Sequence, residues 1–290
     1  DVGFDDTGRI TGLKLQMAAN CGFSADLSGP VADRAVFHAD NAYYLSDVEI
    51  ASYRCKTNTQ SHTAFRGFGG PQGVIVIEAI LGDIARALGR DAQDVRMVNL
   101  YGKDAADGRN VTHYQMTVED NILHALMPQL ERDANYRQRQ AAIAAWNATS
   151  PVLKRGLAIT PVKFGISFTA TLFNQAGALV HVYTDGSVQV NHGGTEMGQG
   201  LHTKVAQIVA DELGVPLHRV LVTASDTSKV PNASATAASS GTDLNGRAAQ
   251  FAARHVRDNL AAFVAGLDGV GAGSVRFEGG QVITEQSTRR

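Results

Sequence analysis

Three segments of small residues each precede a predicted helix, and they are the strongest candidates for ligand chemistry in this chain. They span residues 66–73, 193–200 and 235–242. Glycine lets backbone N–H groups approach a ligand closely, and a helix N-terminus adds donors and a field that favours anions. Together the segments predict a site for an extended, phosphate-bearing cofactor, although each alone is more simply a tight turn. Neither a P-loop nor a suitably placed G-x-G-x-x-G occurs.

Individual side chains in these segments could contact a ligand. Gln199 lies between two glycines, where its amide offers two donors and one acceptor, although it could equally be a solvated turn residue. Phe68 has glycine on both sides, and it either contacts something or, more simply, fills the core. Residues 164–169 are either a buried strand or an aromatic wall beside a hydroxyl group.

The side chains do not form a recognisable metal site. Cys21 and Cys55 are far apart, a reduced pair is expected, and neither C-x-x-C nor H-E-x-x-H occurs. A G-x-S-x-G nucleophile motif is also missing. We expect any metal to be held through a cofactor. The following histidines are expected to be structural or surface groups: His38, His62, His181, His192 and His202.

The elements that must position these residues indicate an α+β fold rather than a doubly wound parallel sheet. In the first half, strands are predicted over 9–24 and 47–56. A helix follows with apolar residues at helical spacing and ends at Gly89, a second is capped by Asp91, and a polar helix covers 132–147. The apolar residues of the first helix are Ile77, Ile80, Leu81, Ile84 and Leu88.

The second half begins with a predicted hairpin, 178–183 and 187–191, joined by a type I′ turn at Asp185-Gly186. A helix through Leu213, a strand over 220–224 and a helix over 243–267 follow. Ser150-Pro151 is the predicted boundary, giving domains 1–150 and 151–290.

Composition narrows the classes of partner. The 290 residues carry 26 basic and 28 acidic side chains, a net charge of −2, which favours neither nucleic acid nor an anionic membrane. No apolar run reaches membrane-spanning length. The chain opens at Asp1 with no initiator Met and no signal segment, so we expect a processing site or an internal point of a longer, cytoplasmic polypeptide.

Several motifs in a fixed order resemble the molybdenum-binding subunit of xanthine dehydrogenase, in the xanthine oxidase/aldehyde oxidase family. The resemblance runs from about residue 10 to about residue 260. It rests on residues 33–41, 55–58, 63–72, 163–169, 174–178, 193–204, 230–232 and 236–239.

The resemblance implies a cofactor and residues that hold it. In that family molybdenum is bound by the dithiolene of molybdopterin and not by protein side chains. Phe65, Arg66 and Gly67 resemble a loop that faces the metal. One loop resembles part of the pterin cradle, and another segment resembles the one that binds the phosphate end of the cofactor. The first consists of Met197, Gly198, Gln199 and Gly200, and the second of Ala237, Ala238, Ser239 and Ser240.

The resemblance also implies substrate contacts. Phe68 resembles an aromatic residue that stacks on a purine, Phe168 its edge-on partner, and Thr169 a hydroxyl that contacts the substrate. Arg34 resembles the catalytic arginine that binds a purine carbonyl and stabilises negative charge on the ring. Without the resemblance, Arg34 would be predicted to form a surface ion pair.

The implied reaction is hydroxylation of hypoxanthine or xanthine with oxygen from water. Electrons would pass through 2Fe-2S clusters and FAD to NAD, carried by a partner subunit of a hetero-oligomer or by another segment. The family's Gly-Glu-Pro base motif and its Gly-Gly-Phe-Gly-Gly-Lys-Glu stretch do not occur here, and Glu196 is not a substitute base. We therefore expect a central fragment that is inactive alone. The alternatives are an aldehyde oxidase and a cofactor-binding module without turnover.

Overall fold

The structure, a computed structural model, describes residues 1–226, 228–229 and 233–289. It divides into two units, Asp1–Gly165 and Ile166–Arg290. The division therefore follows Gly165, beyond Ser150-Pro151. Residues 151–165 stay with the first unit because Ile159 is buried in its core and because the Asn41 amide binds the carbonyl oxygen of Pro161 at 2.8 Å.

The first unit combines one small sheet with five helices. The sheet order is β1-β2-β3, in which β1 is antiparallel to β2 and β3 is parallel to it. The predicted strands over 9–24 and 47–56 are confirmed as β2 and β3. In chain order the elements are β1 (Val2–Phe4), β2 (Ile10–Gly22), α1 (Ser28–Phe37), β3 (Val48–Lys56), α2 (Gly70–Leu88), α3 (Ala92–Asn99), α4 (Leu123–Asp133) and α5 (Tyr136–Thr149).

Helix α2 is the centre of the first core, as its apolar spacing predicted. Ile77 and Leu81 are fully buried, and the helix ends where Gly89 adopts a left-handed conformation with φ 62°. The Asp91 carboxylate accepts the Gln93 N–H at 2.9 Å and so caps α3. These local signals were strong enough to fix both helices.

Two features of the first unit differ from expectation. The polar helix predicted over 132–147 is two helices, because Asn135 takes φ 50° and ends the run between α4 and α5. Helix α1 was not predicted, since Gly29 and Pro30, both poor helix formers, follow its first residue, Ser28. Its inward face is carried by small residues, Ala32 and Ala35, rather than by large apolar ones.

The second unit packs two long helices on another mixed sheet, β4-β5-β6, with β4 antiparallel and β6 parallel to β5. A third sheet, β7-β8-β9, lies in the glycine-rich tail, for which no strand was predicted. In chain order the elements are β4 (Ala178–Val182), β5 (Val188–His192), α6 (Leu201–Leu213), β6 (Val220–Val222), α7 (Gly241–Asp268), β7 (Arg276–Glu278), β8 (Gln281–Ile283) and β9 (Thr288–Arg289). Valines of β4 and β5 form the core with Leu201, Val205 and Val209 of α6 and with Ala249 and Ala253 of α7.

The hairpin between β4 and β5 is present, but its turn is not type I′. A type I′ turn needs positive φ at two successive residues, and here Gly186 has φ 81° while Asp185 does not. The Gly186 N–H donates to the Tyr183 carbonyl oxygen at 3.0 Å, and the Tyr183 N–H donates to that of Ser187 at 2.9 Å. The connection is therefore a three-residue loop with a bulge at Gly186. Strand β6 also ends earlier than predicted, at Val222.

The fold class is confirmed as α+β: within the described residues, helices accompany three small sheets and no continuous parallel sheet forms. Among these same residues, no helix has the length and apolar character needed to cross a membrane.

Candidate functional site

Helix α1 presents Arg34 inside the first unit. The residue is only 4% exposed, so the prediction of a surface ion pair from residue type alone is wrong. Its guanidinium donates to the carbonyl oxygen of Gly165 and lies 5.4 Å from the centre of the Phe164 ring. Burial lowers the pKa of Arg34 from its ordinary value. The side chain is thus a fixed, partly desolvated cation.

The bend after β3 holds Phe68 against the same helix. Gly67, Phe68 and Gly69 have φ of 93°, 50° and 97°, three successive left-handed residues. A Cβ on Gly69 would lie 2.0 Å from the carbonyl oxygen of Val31, so only glycine lets the bend press onto α1. Phe68 is 6% exposed. A non-glycine residue held at positive φ persists only where its surroundings impose it, and such residues cluster at ligand sites.

Phe65 and Arg66 lead into this bend and are exposed. Phe65 is 81% exposed, an arrangement that is costly for an aromatic ring in water. The Phe65 carbonyl oxygen accepts the Phe68 N–H at 2.8 Å, which closes the turn. The bend therefore exposes Phe65 and Arg66, leaves Gly67 half-buried and buries Phe68.

In the second unit, the segment that carries Phe168 and Thr169 is irregular rather than a buried strand. The Asn174 side chain accepts the Phe168 N–H and donates to the Phe168 carbonyl oxygen, both at 2.8 Å. Phe168 contacts Phe173 edge to face with ring centres 5.8 Å apart. Thr169 is exposed. Asn174 thus replaces the strand partner that this backbone lacks, and the sequence alone gave no sign of that role.

Two of the three small-residue segments meet in this unit. The Thr195 N–H donates to the Thr236 hydroxyl at 2.8 Å, which joins the loop before α6 to the segment before α7. The Ser167 N–H donates to the carbonyl oxygen of Ala238 at 2.9 Å, which brings the Phe168 segment to the same place. Sequence segments far apart in the chain are therefore neighbours.

The glycine pattern suggested that the backbone N–H groups of the loop before α6 are free to bind an external anion. In the structure, several of them bind a carboxylate of the same loop instead. The Glu196 carboxylate accepts the N–H groups of Gly198, Gly200 and His202 at 2.9, 2.9 and 3.0 Å. These bonds lower the pKa of Glu196 below its ordinary range. Glu196 is itself the anion at this helix N-terminus.

Gln199 also turns back onto its own loop. Its amide oxygen accepts the Met197 N–H at 2.5 Å, and its amide nitrogen donates to the Thr195 carbonyl oxygen at 2.8 Å. Apart from its chain neighbours, a Cβ on Gly198 would meet no atom of the described residues within 4 Å. Met197 is 65% exposed. These two hydrogen bonds therefore stabilise the loop from within, and Met197 and Gly198 form its accessible side.

The N-terminus of α7 keeps its donors. Among the described residues no side chain caps it, because the Ser240 hydroxyl donates to the Ala237 carbonyl oxygen at 3.1 Å. Ala238 and Ser239 precede the helix with φ of 56° and 57°. The first N–H groups of a helix have no partner within it and attract anions. Of the three predicted anion sites, the N-terminus of α7 has the most suitable geometry. The N-terminus of α2 is less suitable because Pro71 has no N–H and because the Gly70 N–H donates to the Gly67 carbonyl oxygen at 3.0 Å.

A buried histidine pair lies behind the loop before α6. The His192 and His202 rings are 5.3 Å apart, and His192 is 1% exposed. His192 Nδ1 accepts the Gly194 N–H at 3.0 Å. Burial, aided by His202, lowers the pKa of His192 to about 4. His192 is thus a neutral group that supports the loop, in line with the structural role expected for it.

Metal-binding side chains do not cluster in the part of the chain that the structure describes: there, no three His, Cys, Asp or Glu residues could hold one ion. Cys21 is buried, Cys55 is exposed, and both are free thiols. Residues 230–232, part of the sequence resemblance, lie outside the described residues.

Comparison with known proteins identifies the class. Two family models, each described as a molybdopterin cofactor-binding domain, match residues 1–100 and 129–290. The chain therefore belongs to the family of molybdopterin cofactor-binding domains.

Within that class the chain is similar to xanthine dehydrogenases. It is 45% identical over 259 residues to the xanthine dehydrogenase/oxidase of Gallus gallus, covering 89% of this chain and 19% of that protein. It is 46% identical over 255 residues to the xanthine dehydrogenase of Dictyostelium discoideum, covering 88% and 18%. The chain thus spans about a fifth of the length of these relatives.

Solved structures show the same fold at low sequence identity. A Cu,Mo-CO dehydrogenase superposes with a TM-score of 0.78 at 20% identity, covering 98% of this chain and 37% of that one. Quinoline 2-oxidoreductase from Pseudomonas putida 86 gives a TM-score of 0.74 at 24% identity with the same coverage. At this level of identity the likeness describes the fold alone.

Proposed function

We propose that this chain is the molybdopterin-binding part of a xanthine dehydrogenase that hydroxylates hypoxanthine and xanthine to urate. The observation that carries the proposal is Arg34, a cation buried at 4% exposure and fixed on α1 beside the bend that holds Phe68. An arginine held in this way suits a flat heterocycle with carbonyl groups. The identity of about 45% to xanthine dehydrogenases supports the same substrate class.

Molybdopterin fits the residues of the second unit. The open N-terminus of α7, with Ala237, Ala238, Ser239 and Ser240, suits a phosphate group. In the loop of Met197, Gly198, Gln199 and Gly200, a Cβ placed on Gly198 would meet no atom of the described residues within 4 Å beyond its chain neighbours. In the first unit, Phe65 and Arg66 are exposed and Gly67 is half-buried, in the bend that the resemblance places toward the metal. When bound, the cofactor supplies a redox metal that accepts two electrons as a ring C–H becomes C–OH, with oxygen from water and release of two protons.

The chain's own residues bind and orient the purine. Arg34 binds a ring carbonyl and stabilises the negative charge that develops on the ring, a contribution of about 2–4 kcal/mol to the barrier for one well-placed donor. As the resemblance implies, Phe68 would stack on the ring, Phe168 would meet it edge-on and Thr169 would donate a hydroxyl hydrogen bond. Asn174 holds the Phe168 backbone on both sides. None of these residues supplies the general base, so we propose that the chain alone is inactive.

The proposed assembly is a cytoplasmic hetero-oligomer. A partner subunit, or another segment of the polypeptide, would carry the 2Fe-2S clusters and FAD and pass electrons to NAD. The remaining segments of the molybdenum subunit would supply the base. The proposal involves neither nucleic acid nor a membrane.

The test is molybdenum analysis combined with turnover of the native assembly that contains this chain. About one molybdenum per chain and oxidation of xanthine support the proposal. Molybdenum with oxidation of aldehydes and not of purines would favour the second candidate, an aldehyde oxidase. A preparation without molybdenum that gains no activity when loaded with the cofactor would favour a binding module without turnover.

A further inference from the structure

The turn that follows α1 holds a distant backbone segment, residues 161–165. The Asn41 amide donates to the Pro161 carbonyl oxygen at 2.8 Å and accepts the Lys163 N–H at 3.1 Å. The Lys163 ammonium binds the Asp40 carboxylate at 2.7 Å. This segment has no strand partner, so side chains satisfy its backbone groups.

His38 contacts the end of that segment at Gly165. The two hydrogen bonds of the imidazole define which of its nitrogens carries the proton. Its Nε2 accepts the Gly165 N–H at 2.9 Å. A backbone N–H can only donate, so Nε2 carries no proton. Its Nδ1 lies 2.9 Å from the carbonyl oxygen of Arg34, to which it therefore donates. His38 is 5% exposed, and both of its ring nitrogens are used.

These bonds close a ring of three residues. The Arg34 guanidinium donates to the Gly165 carbonyl oxygen, the Gly165 N–H donates to His38, and His38 donates to the Arg34 carbonyl oxygen. Arg34 is thereby held at its backbone and at the tip of its side chain. The Phe164 side chain packs beside these three hydrogen bonds. The centre of its ring lies 4.9 Å from that of His38 and 5.4 Å from the guanidinium carbon of Arg34.

We propose that His38 is a positioning residue that aims the Arg34 guanidinium through Gly165. The proposal rests on the proposed function, which gives Arg34 its role toward a purine carbonyl. The group must be neutral to act, because a protonated Nε2 cannot accept the Gly165 N–H. Burial lowers the pKa of His38 and the cations Arg34 and Lys163 add to that effect, while the hydrogen bond to the Arg34 carbonyl oxygen and the Asp40 carboxylate oppose it.

The experiment is a double-mutant cycle in the complete, molybdenum-loaded enzyme. His38→Leu should lower kcat/KM for xanthine about 10- to 100-fold, since a small displacement of a catalytic group costs about that much. His38→Gln should recover most of the loss, because its Oε1 can accept the Gly165 N–H. His38→Asn is too short to reach Gly165 and should not recover it. His181→Gln, on an exposed site of β4, is the control and should leave kcat/KM unchanged.

The decisive comparison is the Arg34→Met background. If His38 acts through Arg34, adding His38→Leu there should cost less than about threefold, because interacting residues show non-additive effects. An equal loss in both backgrounds would overturn the proposal and make His38 a general packing residue. If His38→Leu does not fold, the contrast between His38→Gln and His38→Asn decides in its place.

A second readout does not depend on activity. Hydrogen exchange of a peptide that contains Gly165 should be faster in His38→Leu than in the parent and near the parent in His38→Gln. Unchanged exchange in His38→Leu would contradict the positioning role. A complete enzyme that does not oxidise xanthine would refute the proposed function, and the exchange result would still judge the role of His38.

Discussion

The backbone N–H of Ser167 donates to the carbonyl oxygen of Ala238 at 2.9 Å, and both residues have left-handed φ, 81° and 56°. This bond joins the segment of Phe168 and Thr169 to the segment that precedes α7. Each segment is irregular, and each holds a conformation that is unfavourable for a residue with a Cβ. The two segments therefore stabilise each other, and a change in one should be felt in the other.

Arg34→Met tests the choice between a purine and an aldehyde substrate. In the complete enzyme we expect kcat/KM for xanthine to fall about 100- to 1000-fold, as for loss of one preorganised donor. An aldehyde has no second carbonyl for Arg34, so its turnover should fall far less. Steady-state kinetics with both substrates make the comparison, and equal losses would remove the role given to Arg34.

Asn174→Ala tests whether Phe168 must be held in place. The change removes the two bonds to the Phe168 backbone, so we expect a KM for xanthine raised about tenfold, as for loss of roughly 1.4 kcal/mol of binding. The neighbouring Gln175 is exposed, and Gln175→Ala is the matched control. A KM that both variants leave unchanged would contradict a role for Phe168 in binding.

Glu196→Gln tests the carboxylate at the start of α6. Because the three N–H bonds lower the pKa of the folded carboxyl below its ordinary value of 4.5, its stabilising effect is complete above that value. The effect is lost as the pH falls through the lower, folded pKa. The variant should weaken hydrogen-exchange protection of residues 196–202 at neutral pH and remove this acid dependence. Asp211→Asn, on the exposed side of α6, should do neither.

His192→Asn tests the buried histidine behind the same loop. The pKa of His192 is about 4 in the folded protein, below its ordinary value of 6.5. The unfolded chain therefore binds the proton first, and folded stability falls as the pH drops from about 6.5 to about 4, by roughly 3 kcal/mol in total. Asn can still accept the Gly194 N–H but does not titrate.

Hydrogen exchange of α6 at pH 7 and pH 5, corrected for the intrinsic rate, measures the effect. The parent should lose protection at the lower pH, and His192→Asn should lose less. His181→Asn is the exposed control. An acid dependence as large in His192→Asn as in the parent would assign it to another group.

Two glycines of α2 should respond oppositely to the same substitution. A Cβ on Gly73 would lie 2.4 Å from the Ala35 carbonyl oxygen, so Gly73→Ala should force α1 and α2 apart and destabilise the first unit by about 1–3 kcal/mol. At Gly82 the nearest atom is 3.6 Å away, on the flexible Arg86 side chain. Gly82→Ala should therefore stabilise by about 0.5–1 kcal/mol. Hydrogen exchange of α2 distinguishes the two, and loss of protection in both would contradict the explanation.

The sequence by itself determined the elements whose signals are local. The apolar spacing of α2, the Asp91 cap of α3 and the terminal glycine of α2 each act within one or two turns, so the positions of these helices were predictable. The ordered motifs also determined the family, which the matching domain models confirm.

Tertiary structure alone decided which groups meet. Glu196 accepts the N–H groups of a loop that was predicted to bind a cofactor anion. Asn174 and His38 accept backbone N–H groups that have no strand partner. Arg34 is buried although its residue type favours the surface. These outcomes depend on contacts between residues far apart in the chain, where burial and unsatisfied backbone groups select the partner, and no local pattern encodes them.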